Sequence, residues 1–371
     1  MRYILSLILL LFLSSSSGAQ TDNRDWPLYR GTADLAGRSD SELPTAPKLL
    51  WSISTGARTK SSPVISEGTV YFGNDKGTLF AVSMDGKVKW KYEAGSSIEA
   101  APMVYSKRVI FGSSDGVLRA VDKVSGKLLW SYTTDNQIAG SANVWRVGNK
   151  AGIVVGSYDY FLHCVDAETG RSLWKVETDN YVNGTPAIIN GMIVFGGCDG
   201  IMRVVDPLTG KGKNAIDIGV YIAASPALAN NMAYFGDYDG TIYCYNIISG
   251  KNLWKIAAGD DAGAIMAIPA IGSKEVVVGS EDKYMYCYNI ADGQLLWKFR
   301  TNGMVTGSAV IASTRVLFTS MDGNVYIAGL SDGKKQWSFN AGTPISSSPA
   351  VVKERFYILS DDGRLLAFGI K

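Results

Sequence analysis

Seven aspartates recur at one position of a repeating pattern: Asp115, Asp159, Asp199, Asp239, Asp282, Asp322 and Asp362. Gathered at one centre, so many carboxylates would hold a hard cation or work as paired general acid and base. Most are followed by Gly, as in Asp115-Gly116 and Asp239-Gly240. Asp-Gly between two strands is a hairpin signal, because Gly reaches positive φ without a steric penalty and Asp bonds the turn backbone. The pattern therefore predicts turn-forming aspartates distributed around a repeat, with no metal site. The one histidine, His163 in FLHCVD, has neither a second His nor a nearby nucleophile to make a zinc site or a triad, and it reads as strand surface.

Four cysteines include no adjacent pair and no CxxCH haem-attachment motif. Cys164, Cys244 and Cys287 share a repeat position with Ala81, Ala120, Ala328 and Ala367, so each reads as a small buried residue. Equivalent positions in neighbouring units lie beyond the roughly 4.4–6.8 Å Cα separation of a disulfide, and none is expected. The set richest in binding chemistry flanks an apolar column that includes Ile98, Ile138, Val182 and Ile222. It comprises Arg58, Lys60, Glu99, Gln137, Tyr181, Asn183 and Tyr221, after which the same flank turns small and apolar at Ala264, Met266, Met304 and Ser346. If the repeats surround an axis, these residues meet at the mouth of a central channel, a concavity suited to a ligand or partner.

The elements that must position them are short. Trp51, Trp90, Trp130, Trp174, Trp254, Trp297 and Trp337 close successive units, with Asn214 in the slot between 174 and 254. The intervals are 39, 40, 44, 40, 40, 43 and 40 residues, a period of repeat architectures. Within each unit, β-branched and aromatic runs such as TVYFG at 69–73 and MIVFG at 192–196 alternate with turns, and no helical period is sustained. Eight units of four strands, none able to bury both faces alone, predict an all-β, eight-bladed β-propeller of antiparallel blades. The Trp column is expected to dock each blade on the next, burying the ring while its N–H finds a polar partner. The last unit ends before a fourth strand, and LLWSIS at 49–54 is a surplus Trp-bearing strand, so residues 49–54 are expected to close the C-terminal blade.

The N-terminal 19 residues place one Arg before an apolar run from Ile4 to Leu13, then Ser17 and Ala19 at the −3 and −1 positions of a cleavage site. A signal peptide over 1–19, an extended lead-in over 20–47 and a propeller over 48–371 are expected. No Cys follows the apolar run before Cys164, so the expected location is periplasmic or secreted, without a lipoprotein anchor and without a transmembrane segment after cleavage. Thirty-six Lys and Arg face 34 Asp and Glu in scattered positions, a formal net charge of +2 that gives no general attraction to nucleic acid or anionic membranes.

Units such as CVDAETGRSLW at 164–174 and AVDKVSGKLLW at 120–130 resemble the PQQ-type propeller repeat, A-x-D-x-x-T-G-x-x-x-W, over about residues 49–371. DWPLYRG at 25–31 is similar to the lead-in of exported bacterial members, whereas the Trp-Asp and Gly-His pairs of WD40 units are missing. That family includes quinoprotein dehydrogenases and BamB-type propellers of outer-membrane protein assembly. The dehydrogenases carry quinone and calcium with a vicinal Cys pair and long inserts, which this chain lacks. The resemblance therefore implies a non-enzymatic, monomeric binding or scaffold propeller with a protein partner in the cell envelope. PQQ with calcium and an oxidoreductase or sensor role is the disfavoured alternative. A cell-envelope carbohydrate binder using Tyr181 and Tyr221 is another.

Overall fold

The computed structural model describes residues 25–222, 224–257 and 263–370, so the expected signal sequence at 1–19 lies outside the described residues. Strands and turns make up the architecture, and among the described residues no helix is long and apolar enough to cross a membrane. The first blade comprises Val64–Ser66, Thr69–Phe72, Thr78–Ser83 and Val88–Glu93, each strand antiparallel to the next. Seven more sheets repeat this order. Innermost strands of successive blades lie side by side, and Ala350–Val352 of the eighth blade lies against Val64–Ser66 of the first, which closes the ring.

Burial explains the composition of each strand. Second strands such as Arg108–Gly112 are buried along their whole length, because neighbouring blades cover both faces, and they read as continuous apolar runs. Outermost strands such as Val88–Glu93 alternate between exposed and half-buried positions, since only one face meets a neighbour. A register shift beside the Trp slot recurs in the outer pair of all eight blades. The bulge leaves the residues before the Trp, such as Leu128 and Leu129, facing solvent.

Lys48–Ser54 is the fourth strand of the last blade, antiparallel to Arg364–Gly369, with Trp51 opposite Ala367 and Ser54 opposite Arg364. Its bulge falls between Leu49 and Trp51, the place it takes in an ordinary blade. The closing strand therefore mimics a covalently continuous one.

The register corrects one column. Trp337 pairs with Ile327, not with the neighbouring Ala328, so the position opposite the Trp slot is Ala81, Ala120, Cys164, Val204, Cys244, Cys287, Ile327 and Ala367. The reason is steric: a position facing the bulge accepts a branched side chain as readily as a small one, so size alone does not mark it.

The segment after Asp25 crosses the far end of the channel. Its carbonyls accept the N–H groups of the innermost strands in blade order: Trp26 from Ile65, Pro27 from Val104, Ala33 from Ile188, Asp34 from Leu228, Ala36 from Ile271 and Gly37 from Ile311. Arg38–Ser39 then pairs in parallel with Val310–Ala312. Arg30 is buried at the centre of this strap, donating to the carbonyls of Ala309, Pro269 and Leu35. Burial lowers its pKa to about 10, which leaves the guanidinium charged at neutral pH. Gly37, at φ +59°, lies directly against that guanidinium, so a side chain there has neither the space nor the favoured backbone conformation.

Candidate functional site

At the opposite end, in most blades the connector entering the blade meets the turn between that blade's second and third strands. Asp75 N–H donates to Arg58 O, Tyr158 to Gln137 O, Cys198 to Tyr181 O, Glu281 to Ala264 O and Asp361 to Pro344 O. Two residues of each such blade are thereby fixed on one rim. The seven candidates named from the sequence fall on this mouth in separate groups. Lys60 Nζ lies 3.5 Å from Glu99 Oε2, and both line a cavity of about 180 Å³ on the axis together with Asn183 and, from the strap, Tyr29. Arg58 belongs to a hollow of about 520 Å³ with Lys60, Asp75, Thr306, Met321 and Asp361. The Tyr181 ring stacks on Tyr158 at 4.5 Å and tilts against Tyr160 at 5.3 Å. Tyr221 lines a third hollow, of about 390 Å³, with Tyr238 and Asp239. Gln137 contributes its carbonyl, which accepts from Tyr158 N–H and Ser157 Oγ.

The sequence reading missed Tyr158, Tyr160 and Tyr238. Their signal lay beside the aspartate column, where Ser114, Tyr158, Cys198, Tyr238, Glu281, Met321 and Asp361 vary from blade to blade. Burial, with Cys198 and Tyr238 beside it, pushes the Tyr158 hydroxyl up from its ordinary value, so it remains a neutral donor on the rim. Asn183 Oδ1 and Thr306 Oγ1 are buried in the mouth without a hydrogen-bond partner.

The aspartate column is engaged locally, blade by blade. Asp115 pairs with Arg119 at 2.6 Å and Asp199 with Arg203 at 2.7 Å, while Asp282 and Asp322 accept the hydroxyls of Tyr286 and Tyr326 at 2.6 and 2.8 Å. Each of these partners is four residues on, in the strand that follows the turn. Asp159 takes His163 in the same relation, with Nε2 2.9 Å from Oδ2. His163 is thus buried, which corrects the strand-surface reading. Because a carboxylate only accepts, Nε2 donates to Asp159, and Nδ1 lies 3.0 Å from the Tyr132 hydroxyl. A lone His among neutral residues gives no hint of a partner four positions earlier unless the equivalent Asp–Arg pairs of other blades are aligned with it.

Five tryptophan N–H groups reach the next blade's outer turn: Trp51 to Met84 O, Trp90 to Lys123 O, Trp174 to Pro207 O, Trp254 to Ile290 O and Trp297 to Leu330 O. Asn214 Nδ2 donates to Ile247 O at 3.1 Å, the equivalent carbonyl. Trp130 is buried with its Nε1 unpartnered, and Trp337 packs on Phe356 and Phe368 of the closing blade. In that blade Arg364–Gly369 and Lys48–Ser54 are paired without a turn between them, and Trp337 meets aromatic rings where the others meet a turn. The four cysteines are free thiols, with Cys164, Cys244 and Cys287 buried.

A calcium ion takes six to eight oxygens. The axial cavity offers one side-chain carboxylate, Glu99, already beside Lys60, and no group of three or more His, Cys, Asp or Glu among the described residues could hold a metal. The donor set does not fit a calcium-bound quinone.

The fold is shared with solved structures of different functions. BamB from Moraxella catarrhalis superposes with a TM-score of 0.74 at 17% identity, over 88% of this chain and 98% of that one. A europium-containing methanol dehydrogenase gives 0.80 at 13% identity, over 94% and 99%. The computationally designed Ika8 protein gives 0.77 at 19% identity, over 87% and 100%. At such identities the likeness is one of fold. No curated protein matches the sequence. The family model described as outer membrane protein assembly factor BamB matches residues 44–150, 139–214 and 215–371, and on that coverage the chain belongs to the BamB family of PQQ-type propellers.

Proposed function

We propose that this chain is an exported, non-enzymatic propeller of the cell envelope that acts as a monomer and presents its open channel mouth to a protein partner in outer-membrane protein assembly. One observation carries the reading: five tyrosines, Tyr158, Tyr160, Tyr181, Tyr221 and Tyr238, stand on three consecutive blades of the mouth, four of them exposed. Tyrosine supplies large, rigid contact area with a hydrogen-bonding tip, the chemistry of protein-binding hot spots. Arg58 and the Lys60–Glu99 pair add charge on the adjoining blades. Closure of the ring by the chain's own strand leaves no blade edge that needs a second copy. The family match supports the assembly setting.

Capture from a solubilised envelope fraction tests the reading. The intact chain is expected to recover barrel-assembly components, and joint substitution Tyr181→Ala with Arg58→Ala to reduce that recovery by about tenfold or more, the scale of a lost hot spot. Undiminished recovery by the double variant, or recovery of no assembly component, overturns it. A spectral titration with PQQ and calcium is expected to stay flat, and a saturable shift would establish the oxidoreductase alternative in its place.

A further inference from the structure

The hollow between the fourth and fifth blades departs from its neighbours in one respect. In most blades the column aspartate caps its own turn: Asp115, Asp159, Asp199, Asp282 and Asp322 each accept the N–H two residues on. In the fifth blade Asp237 has taken over that duty. It accepts Asp239 N–H at 3.0 Å and Thr241 N–H at 2.8 Å through Oδ1, and the Tyr243 hydroxyl at 2.7 Å through Oδ2. The Asp239 carboxylate is released, and it makes no hydrogen bond or ion pair among the described residues.

Asp239 lines its hollow together with Tyr221 and Tyr238. Tyr221 is 58% and Tyr238 47% exposed, and among the described residues neither ring stacks on another aromatic side chain. The other walls are Asp199, Gly200, Gly219 and Val220, enclosing about 390 Å³. Asp199 is paired with Arg203, and among the described residues no Lys or Arg lines the space, so Asp239 is the uncompensated charge there. One blade earlier, Tyr160 stands where Gly200 stands here, and with Tyr158 it packs against Tyr181. Gly200 and Gly219 keep the present hollow open, and a Cβ at Gly219 would meet nothing within 4 Å.

We propose that this hollow is a site for an organic cation, the guanidinium or ammonium group of an arginine or lysine side chain on an extended segment of the protein partner. An aromatic face attracts a cation through its quadrupole, and a fixed carboxylate beside it supplies the charge complement. A neutral sugar would stack on the same rings, but the lining offers it acceptors without the Arg, Lys or amide donors that would complete its hydrogen bonds. The inference rests on the partner-binding reading of the mouth and names the chemistry of one pocket within it.

The full chain, with its tyrosine rings isotopically labelled, is titrated with an acetylated and amidated glycine-serine-arginine-serine-glycine pentapeptide. Its neutral citrulline counterpart, a phosphocholine vesicle and a glucose hexasaccharide serve as the other arms. The arginine peptide is expected to shift the Tyr221 and Tyr238 ring resonances, and the citrulline peptide to bind about tenfold more weakly or worse, the scale of one lost charge-assisted contact. Asp239→Asn, isosteric at a side chain that bonds nothing, is expected to give the same loss with unchanged melting. Equal binding of the citrulline peptide, an unaffected Asp239→Asn variant, preference for the vesicle or the hexasaccharide, or no binding of the arginine peptide overturns the proposal. Capture of assembly components without arginine-peptide binding removes the cation site alone. Arginine-peptide binding through Asp239 without such capture removes the partner reading alone.

Discussion

Asp159 shows what one carboxylate does when its blade neighbours surround it. Burial works to raise its pKa, yet the hydrogen bond and charge of His163, with the N–H groups of Asp135 and Phe161, hold it below the ordinary carboxylate value. A lowered folded pKa contributes stability that is present above the unfolded value of about 3.9 and is lost as pH falls through the folded one. Asp159→Asn is therefore expected to lower stability at neutral pH and to weaken its decline in acid. Urea unfolding across pH 6 to about 2.5 measures this, and an unchanged acid limb contradicts the assignment. The pairing was legible only in part. The aspartate column showed in the sequence as turn chemistry, but His163 folding back onto the turn from the following strand required the hairpin to be built.

Between blades, the outer-strand Trp and the following turn form the repeating joint. A Cβ placed on Gly126, which has φ +70°, would lie 2.7 Å from the Trp90 ring, so this glycine serves both the turn and the close approach of the indole. Asn214 keeps the joint's hydrogen bond to Ile247 O but leaves out the ring. Trp90→Asn is expected to cost about 2–4 kcal/mol through lost aromatic burial, despite retaining a donor. Asn214→Trp is expected to stabilise by about 1 kcal/mol where Gly250 waits opposite. Thermal and urea melts of the two variants should move in opposite directions, and a shift in the same direction would show that the fourth and fifth blades are joined differently. The residue spacing made this joint visible in advance, because a Trp every 40 residues or so is a periodic signal that survives one substitution.

At the level of the ring, two segments from the front of the chain do different work. Lys48–Ser54 closes the seam, and the strap from Trp26 to Ser39 ties seven of the eight innermost strands or their flanking residues across one end. A chain beginning at Thr55 lacks both and is expected to lose its single cooperative unfolding transition, since the Arg364–Gly369 strand is left as an open apolar edge. A chain beginning at Ser41 keeps the closing strand and is expected to retain cooperativity at lower stability. Calorimetry separates the two cases, and cooperative unfolding of the shorter chain would mean that the ring holds without its latch.

The blade count, strand order and closing strand followed from the sequence because they rest on local alternation and a repeating interval, which neighbouring residues carry among themselves. The blade-to-blade hydrogen bonds of the strap, the burial of His163 and the division of seven mouth candidates into an axial cavity and separate hollows appear only in the assembled ring. They depend on the ring's curvature and on side-chain directions set by residues hundreds of positions away, and a periodic pattern contains neither. Asp239 joins both levels: its column position is written in the repeat, but its release from the turn follows from Asp237 having taken its place there.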